Sequence, residues 1–251
     1  MDDAVAAVIA RMEAGLTRLA PTDARRHFHG TYLRTTYAVA AEIDRGGFLD
    51  AAWLSRWDVA FAELYLDAFD ADLAGDTAGG TVPRPWRIAF DTARDRPDLP
   101  PLRHVLLGMN AHINYDLPQS LIAVISPAEF DDPAVRAARE RDHTHIDTVL
   151  LARVGAEEAE GRAAARPGLL DRILAPANRA ATRRLLTEAR AKVWRNTAVL
   201  DAARRQGVTA YTDGVRHLED AAAAKLTTLT APGQVLLRLA RTGFGVLIPG
   251  A

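Results

Sequence analysis

A histidine and an aspartate one helical turn apart can bite a divalent cation or share a proton, because side chains at i and i+4 leave a helix on one side. The sequence has this spacing at His112/Asp116 and again at His143/Asp147. The first pair lies in Gly108-Met109-Asn110-Ala111-His112-Ile113-Asn114-Tyr115-Asp116-Leu117-Pro118, inside the most apolar stretch, Leu102 to Ile125. Its polar and apolar residues alternate as in a strand, but no partner strand is on offer and a lone strand is not viable. A helix is therefore expected, with Asn110 and Asn114 on one face and His112 and Asp116 on another. Pro118 should kink it just beyond the polar cluster. Burying these four side chains unpaired would cost about 1–3 kcal/mol each, so they must satisfy one another, a ligand or a metal.

Two further acids sit where acids are rare. Asp58 falls on the apolar stripe Phe61, Leu64, Tyr65, Ala68, Phe69 of one predicted helix. Asp142 stands at the centre of the stripe Val135, Ala138, Ile146, Val149, Leu150 of another. An acid on such a stripe is seldom buried without a partner. The expected site is therefore His112, Asp116 and Asp58 around a divalent metal, zinc for preference, with His143 and Asp147 as further ligands. Asp142, His145, Asn110 and Asn114 would be the catalytic groups. His143 and His145 point about 200° apart on a helix, so one metal cannot take both. His27, His29 and His104 are expected to pack, His217 to be exposed, and Glu63, Asp67 and Asp70 to form a solvated stripe.

Other chemistries are excluded by what the 251 residues lack. No cysteine is present, which removes disulfides, thiolate metal sites and a thiol nucleophile. There is no histidine–aspartate dipeptide, only one Glu-x-x-His spacing (Glu140/His143) where a di-iron bundle needs a pair of them, no nucleophile elbow, no P-loop and no dinucleotide fingerprint. A formal charge of −1 gives no electrostatic case for nucleic acid or an anionic membrane surface. No apolar run reaches the about 18 residues that cross a bilayer, and the acidic start Met1-Asp2-Asp3 is not a secretory signal, so a cytoplasmic location is expected.

Composition then says what must position these groups. Alanine occurs 49 times and 29 of the 31 basic residues are arginine, both strong helix formers, while aromatics make up 6%. Periodicity and breakers predict helices over about 2–20, 24–45, 51–73, 85–94, 102–125, 133–154, 177–206 and 213–242, the last open to a break at Pro232-Gly233. Asp132-Pro133 reads as a cap followed by a first-turn proline. The expectation is all-α: one domain, residues 1–251, of about seven to nine helices around a buried central helix at about 102–125.

The run Leu106-Leu107-Gly108-Met109-Asn110-Ala111-His112-Ile113-Asn114, followed by Asp116-Leu117, resembles the signature of a bacterial all-helical family of unknown function. Trp57-Asp58-Val59-Ala60-Phe61-Ala62-Glu63-Leu64-Tyr65, Pro85-Trp86-Arg87-Ile88-Ala89-Phe90 and Ala189-Arg190-Ala191-Lys192-Val193-Trp194 resemble its other landmarks. The resemblance covers most of residues 30–200. It implies a fold and a buried polar cluster at Asp58, Asn110, His112, Asn114, Asp116 and Asp142, not an activity. His143 and Asp147 depart from it, since it leads one to expect an aromatic and an amide there. The two His-x-x-x-Asp pairs are also similar in spacing to those of the zinc-dependent phospholipase C and single-strand nuclease group, an analogy of reaction class only. The N-terminal Trp ligand and the intervening histidine of that group are missing here.

Three readings follow. The first is a metal-dependent hydrolase that attacks an ester or phosphoester with metal-activated water. The second is a metal-free acid/base cyclase, lyase or isomerase, with Trp86, Trp194, Tyr65 and Tyr115 lining an apolar pocket. The third is a non-catalytic small-molecule binder whose polar cluster orients its ligand. Each expects a small-molecule partner, no nucleic acid and no membrane. Oligomeric state is left open.

Overall fold

The computed structural model describes residues 2–75, 80–161 and 176–251, with side chains described up to Val149 and, apart from Leu186, from Arg184 onward. All regular structure among the described residues is helical. The helices are α1 (Asp3–Arg18), α2 (Arg25–Asp44), α3 (Ala51–Leu73), α4 (Arg84–Asp95), α5 (Pro101–Ala111), α6 (Leu117–Val124), α7 (Pro127–Asp131), α8 (Pro133–Gly161), α9 (Pro176–Gln206), α10 (Val208–Thr230) and α11 (Val235–Thr242). None of them is long and apolar enough to cross a membrane.

Local chemistry sets several of these bounds. Asp2 caps α1 by accepting from the Ala4 N–H (2.8 Å), and Asp50 caps α3 through the Trp53 N–H (2.9 Å). Asp132 takes the Ala134 N–H at 2.8 Å and starts α8 with Pro133 at its first position, as expected. Ser126 and Glu129 form a capping box on the short α7, which the periodicity had not separated. The break at Pro232-Gly233 divides α10 from α11, and α10 begins at Val208 rather than near 213.

The predicted central helix is present with a fault in it. Between α5 and α6, His112–Asp116 form a π-turn, closed by the Leu117 N–H on the His112 carbonyl. Pro118 is the physical cause. A proline within a helix lacks an N–H and crowds the carbonyl four residues back, and a widened turn relieves both. The expected kink is thus taken up as one wide turn through the polar cluster itself.

α5 packs against α2, α4 and α10, and α6 against α3 and α9. The central helix feeds two apolar clusters. Leu106 and Leu107 join Phe28, Tyr32, Tyr65 and Trp86 in one; Leu117 and Leu121 join Trp53, Trp57 and Phe61 in the other. The π-turn lies where the two meet.

Candidate functional site

His112 is sandwiched at that junction. The Phe61 ring stacks on its imidazole with centroids 3.6 Å apart and planes 6° apart, and the Tyr32 ring meets it edge-on at 4.4 Å. Its Nδ1 is 2.8 Å from Asp116 Oδ2, and the same oxygen accepts the indole N–H of Trp86 at 2.9 Å. His112, Asp116 and Asp58 are only 4%, 1% and 4% exposed. Asp58 is on α3 one turn before Phe61, so the residue that stacks on His112 also brings the carboxylate to this part of the core.

Burial sets the protonation of the group. It pushes the Asp58 carboxyl up to about 7. It also holds the His112 imidazole well below its ordinary range, and raises Asp116 well above the usual carboxylate range against the opposing hydrogen bond from Trp86. Tyr32 keeps its proton far above the ordinary phenol range, first through burial and then through the nearby carboxylates of Asp58 and Asp116. The His112–Asp116 pair therefore has two forms one proton apart. With Asp116 ionised, Nδ1–H donates to it and Nε2 is a bare base. With Asp116 protonated, its O–H donates to Nδ1 and the ring hydrogen sits on Nε2.

Three polar atoms of this cluster have no hydrogen-bond partner: His112 Nε2, Tyr32 Oη and Asp58 Oδ2. Buried polar atoms are nearly always paired, so an imidazole nitrogen, a phenol and a carboxyl oxygen left open together mark a place for a ligand or water. On the Trp86 side a small cavity of about 20 Å³, room for one water, is bounded by Phe28, Tyr65, Trp86, Phe90, His104 and Gly108, among others. Trp86 and Tyr65 are thus in a pocket wall as expected, whereas Trp194 and Tyr115 are not part of its lining.

The structure does not bring the other proposed site residues here. Asp142 accepts the backbone N–H groups of Leu49 (2.7 Å) and Asp50 (2.9 Å), clamping the turn that leads into α3. His145 Nε2 pairs with Glu42 Oε1 at 3.0 Å. His143 is buried with its edge against Trp57, and its Nδ1 accepts from Trp194 Nε1 at 3.1 Å. Asp147 holds the guanidinium of Arg190 with both carboxylate oxygens. Asn110 and Asn114 each donate to the Phe244 carbonyl at 3.1 Å. Each of the six is thus engaged outside the His112 cluster, Asn110 through its Nδ2 alone, and among the described residues no three His, Asp or Glu side chains gather as metal ligands would.

Of the remaining histidines, His29 packs between Tyr65 Oη and the Met12 carbonyl, 2.7 Å from each. His27 stacks on His104, and His217 is exposed. Asp67 and Asp70 engage Arg11 rather than water alone. Sequence reasoning passed over Tyr32, whose position four residues after Phe28 on an apolar stripe reads as packing. Its hydroxyl on that stripe was the available signal.

Among known proteins, the model of a family of unknown function, DUF5995, matches residues 5–232. No curated protein and no solved structure matches the chain.

Proposed function

The chain belongs to that family of unknown function, and from its buried cluster we propose that it is a metal-free acid/base enzyme, a lyase, cyclase or isomerase that moves a proton on a small neutral molecule. One observation carries the reading. His112 is oriented through Nδ1 by Asp116 and Trp86, while its Nε2 is buried without a partner; the Tyr32 ring lies edge-on to the imidazole, and Tyr32 Oη and Asp58 Oδ2 are likewise left open. A base needs an orienting group behind it and an open nitrogen in front, and this arrangement supplies both. Asp58, titrating near neutrality, is the complementary acid, able to give a proton to the substrate while Nε2, in the form with Asp116 ionised, accepts one from it. The apolar walls favour an uncharged substrate, since an ion would lose its hydration here without a paired charge.

The zinc reading needs three protein donors, and Asp116 Oδ2 is already engaged by Trp86 and His112. One experiment separates the possibilities. A panel of small metabolites is incubated with the protein in deuterium oxide and read by mass spectrometry. A proton-transfer enzyme washes deuterium into one of them, and His112→Gln abolishes the exchange. Tight binding without exchange would instead mark a non-catalytic binder. One equivalent of bound zinc that is lost in His112→Ala would favour the metal hydrolase.

A further inference from the structure

Asn110 and Asn114 flank His112 in the central helix, yet both amides donate to main chain from the other end of the sequence, Asn110 Oδ1 alone being left open. Their Nδ2 groups converge on the Phe244 carbonyl, and Asn114 Oδ1 accepts the Val246 N–H at 3.0 Å. One rung further, Asn196 of α9 repeats the bracket: its Nδ2 donates to the Val246 carbonyl (3.1 Å) and its Oδ1 accepts from the Ile248 N–H (3.2 Å). Glu188 takes the N–H groups of Phe244 and Gly245, and Lys192 Nζ donates to the Gly245 carbonyl at 3.0 Å.

An asparagine amide donates and accepts at once, so a row of them can replace the neighbouring strand that an extended segment normally needs. Residues 244–248 are held in this manner, with Phe244 and Ile248 as buried anchors and Leu247 outward. The segment carries few backbone hydrogen bonds of its own. It leaves α11 through Gly243, whose φ of +71° is a left-handed hinge, and Gly250 turns likewise at +89°. Phe244 belongs to the same apolar cluster as Tyr32, Tyr65 and Trp86, the residues around His112.

The catalytic cluster is closed, and the cavity beside it, about 20 Å³, has room for no more than a water. Some element must move for a substrate to reach Nε2. Lifting the segment beyond Gly243, whose own N–H caps α11 on the Leu239 carbonyl, breaks side-chain bonds to main chain and withdraws two apolar anchors, but costs no helix a backbone bond. We propose that residues 243–251 are a releasable strap, and that its departure from the Asn114 and Asn196 brackets frees the π-turn and withdraws Phe244 from the apolar cluster that walls His112, loosening that wall enough to admit a small neutral substrate. This rests on His112 being the site. The strap lies beyond the residues matched by the family model, whereas the asparagines that hold it lie within them.

The absence of cysteine makes the test clean. In the full chain, Ile248→Cys places one thiol under the strap and Leu200→Cys one in the core of α9, both at positions nearly inaccessible in the closed form. Under native conditions a thiol reagent should modify the first at least about tenfold faster than the second, and adding Asn196→Ala should speed the first further. Equal rates would mean that the strap opens only with global unfolding, which overturns the proposal.

The link to His112 is read separately. A Cβ at Gly250 would lie 3.8 Å from a methyl of Val199, so Val199→Cys/Gly250→Cys can be oxidised to tether the strap. Diethyl pyrocarbonate modification of His112, with exposed His217 as internal standard, should slow by about fivefold or more on oxidation and recover on reduction. If the Ile248→Cys thiol opens freely but the tether leaves His112 modification unchanged, the strap does not guard the site. The acid/base reading would then stand without it, because neither measurement depends on turnover.

Discussion

Trp86 and His112 meet on one atom: the indole N–H reaches Asp116 Oδ2 at 2.9 Å and the imidazole Nδ1 reaches the same oxygen at 2.8 Å. A tryptophan N–H can only donate, so its bond favours the ionised carboxylate and with it the tautomer that leaves Nε2 bare. Burial pulls the other way, toward a protonated Asp116. Trp86 is therefore a positioning residue that tilts the dyad toward its basic form.

Trp86→Phe tests this by keeping most of the ring and removing the donor. At a fixed pH the share of His112 carrying its hydrogen on Nε2 should rise, as read from nitrogen-15 shifts of the imidazole. Unfolding free energy should fall by about 1–3 kcal/mol, since a buried acceptor loses its partner. Unchanged imidazole shifts would remove Trp86 from the proton balance.

Asp58 makes a prediction about pH. Its carboxyl titrates at about 7 in the fold against 3.8 as the reference value, so the folded state binds the proton more tightly than the unfolded state. Its contribution is fully present below about pH 4, declines as pH rises toward 7, and changes no further above that. Three units correspond to about 4 kcal/mol at most. Asp58→Asn removes the titration, so urea unfolding of wild type and variant should diverge between about pH 4 and pH 7, with the variant gaining on wild type as pH rises. Parallel pH profiles would show that Asp58 is solvated in the native state.

Asp142 is a structural clamp, and its loss should not touch the cluster. Asp142→Ala orphans the Leu49 and Asp50 N–H groups and should destabilise by about 1–3 kcal/mol. The His112 imidazole signals should be unchanged in the variant. A shift in them would restore Asp142 to the site.

The contrast between Asp58 and Asp142 marks how far the sequence could be read. Both are acids on apolar stripes, and the rule that such an acid needs a partner is broken at Asp58, whose Oδ2 is left open, and met in an unforeseen way at Asp142. The partners of Asp142 are backbone groups 92 and 93 residues away. Backbone donors carry no residue signature, so no spacing rule could find them. The same is true of Asn110 and Asn114, whose common acceptor is the Phe244 carbonyl. His112/Asp116 was legible because an i, i+4 contact is local. Helix bounds were legible wherever a proline, glycine or capping aspartate marked them, as at Asp132-Pro133. The π-turn was visible only as its cause, Pro118.

Gly108 in the middle of α5 looks like a helix weakness, and Gly→Ala in a helix interior is usually worth about 0.5–1 kcal/mol in favour of alanine. Here the sign should reverse. A Cβ on Gly108 would lie 2.2 Å from Phe28 Cγ, and that ring in turn packs against Trp86, Tyr65 and Tyr32 around His112. Phe28 cannot back away without displacing this wall, so Gly108→Ala should destabilise by about 1–3 kcal/mol in urea unfolding. Phe28→Ala alone should cost about 3–5 kcal/mol through the cavity it leaves. Because each change makes room for the other, Gly108→Ala with Phe28→Ala should cost clearly less than the two single losses added together. Additive losses would mean that the ring and the glycine are not in contact, and that the cavity beside Trp86 is not shaped by their close approach.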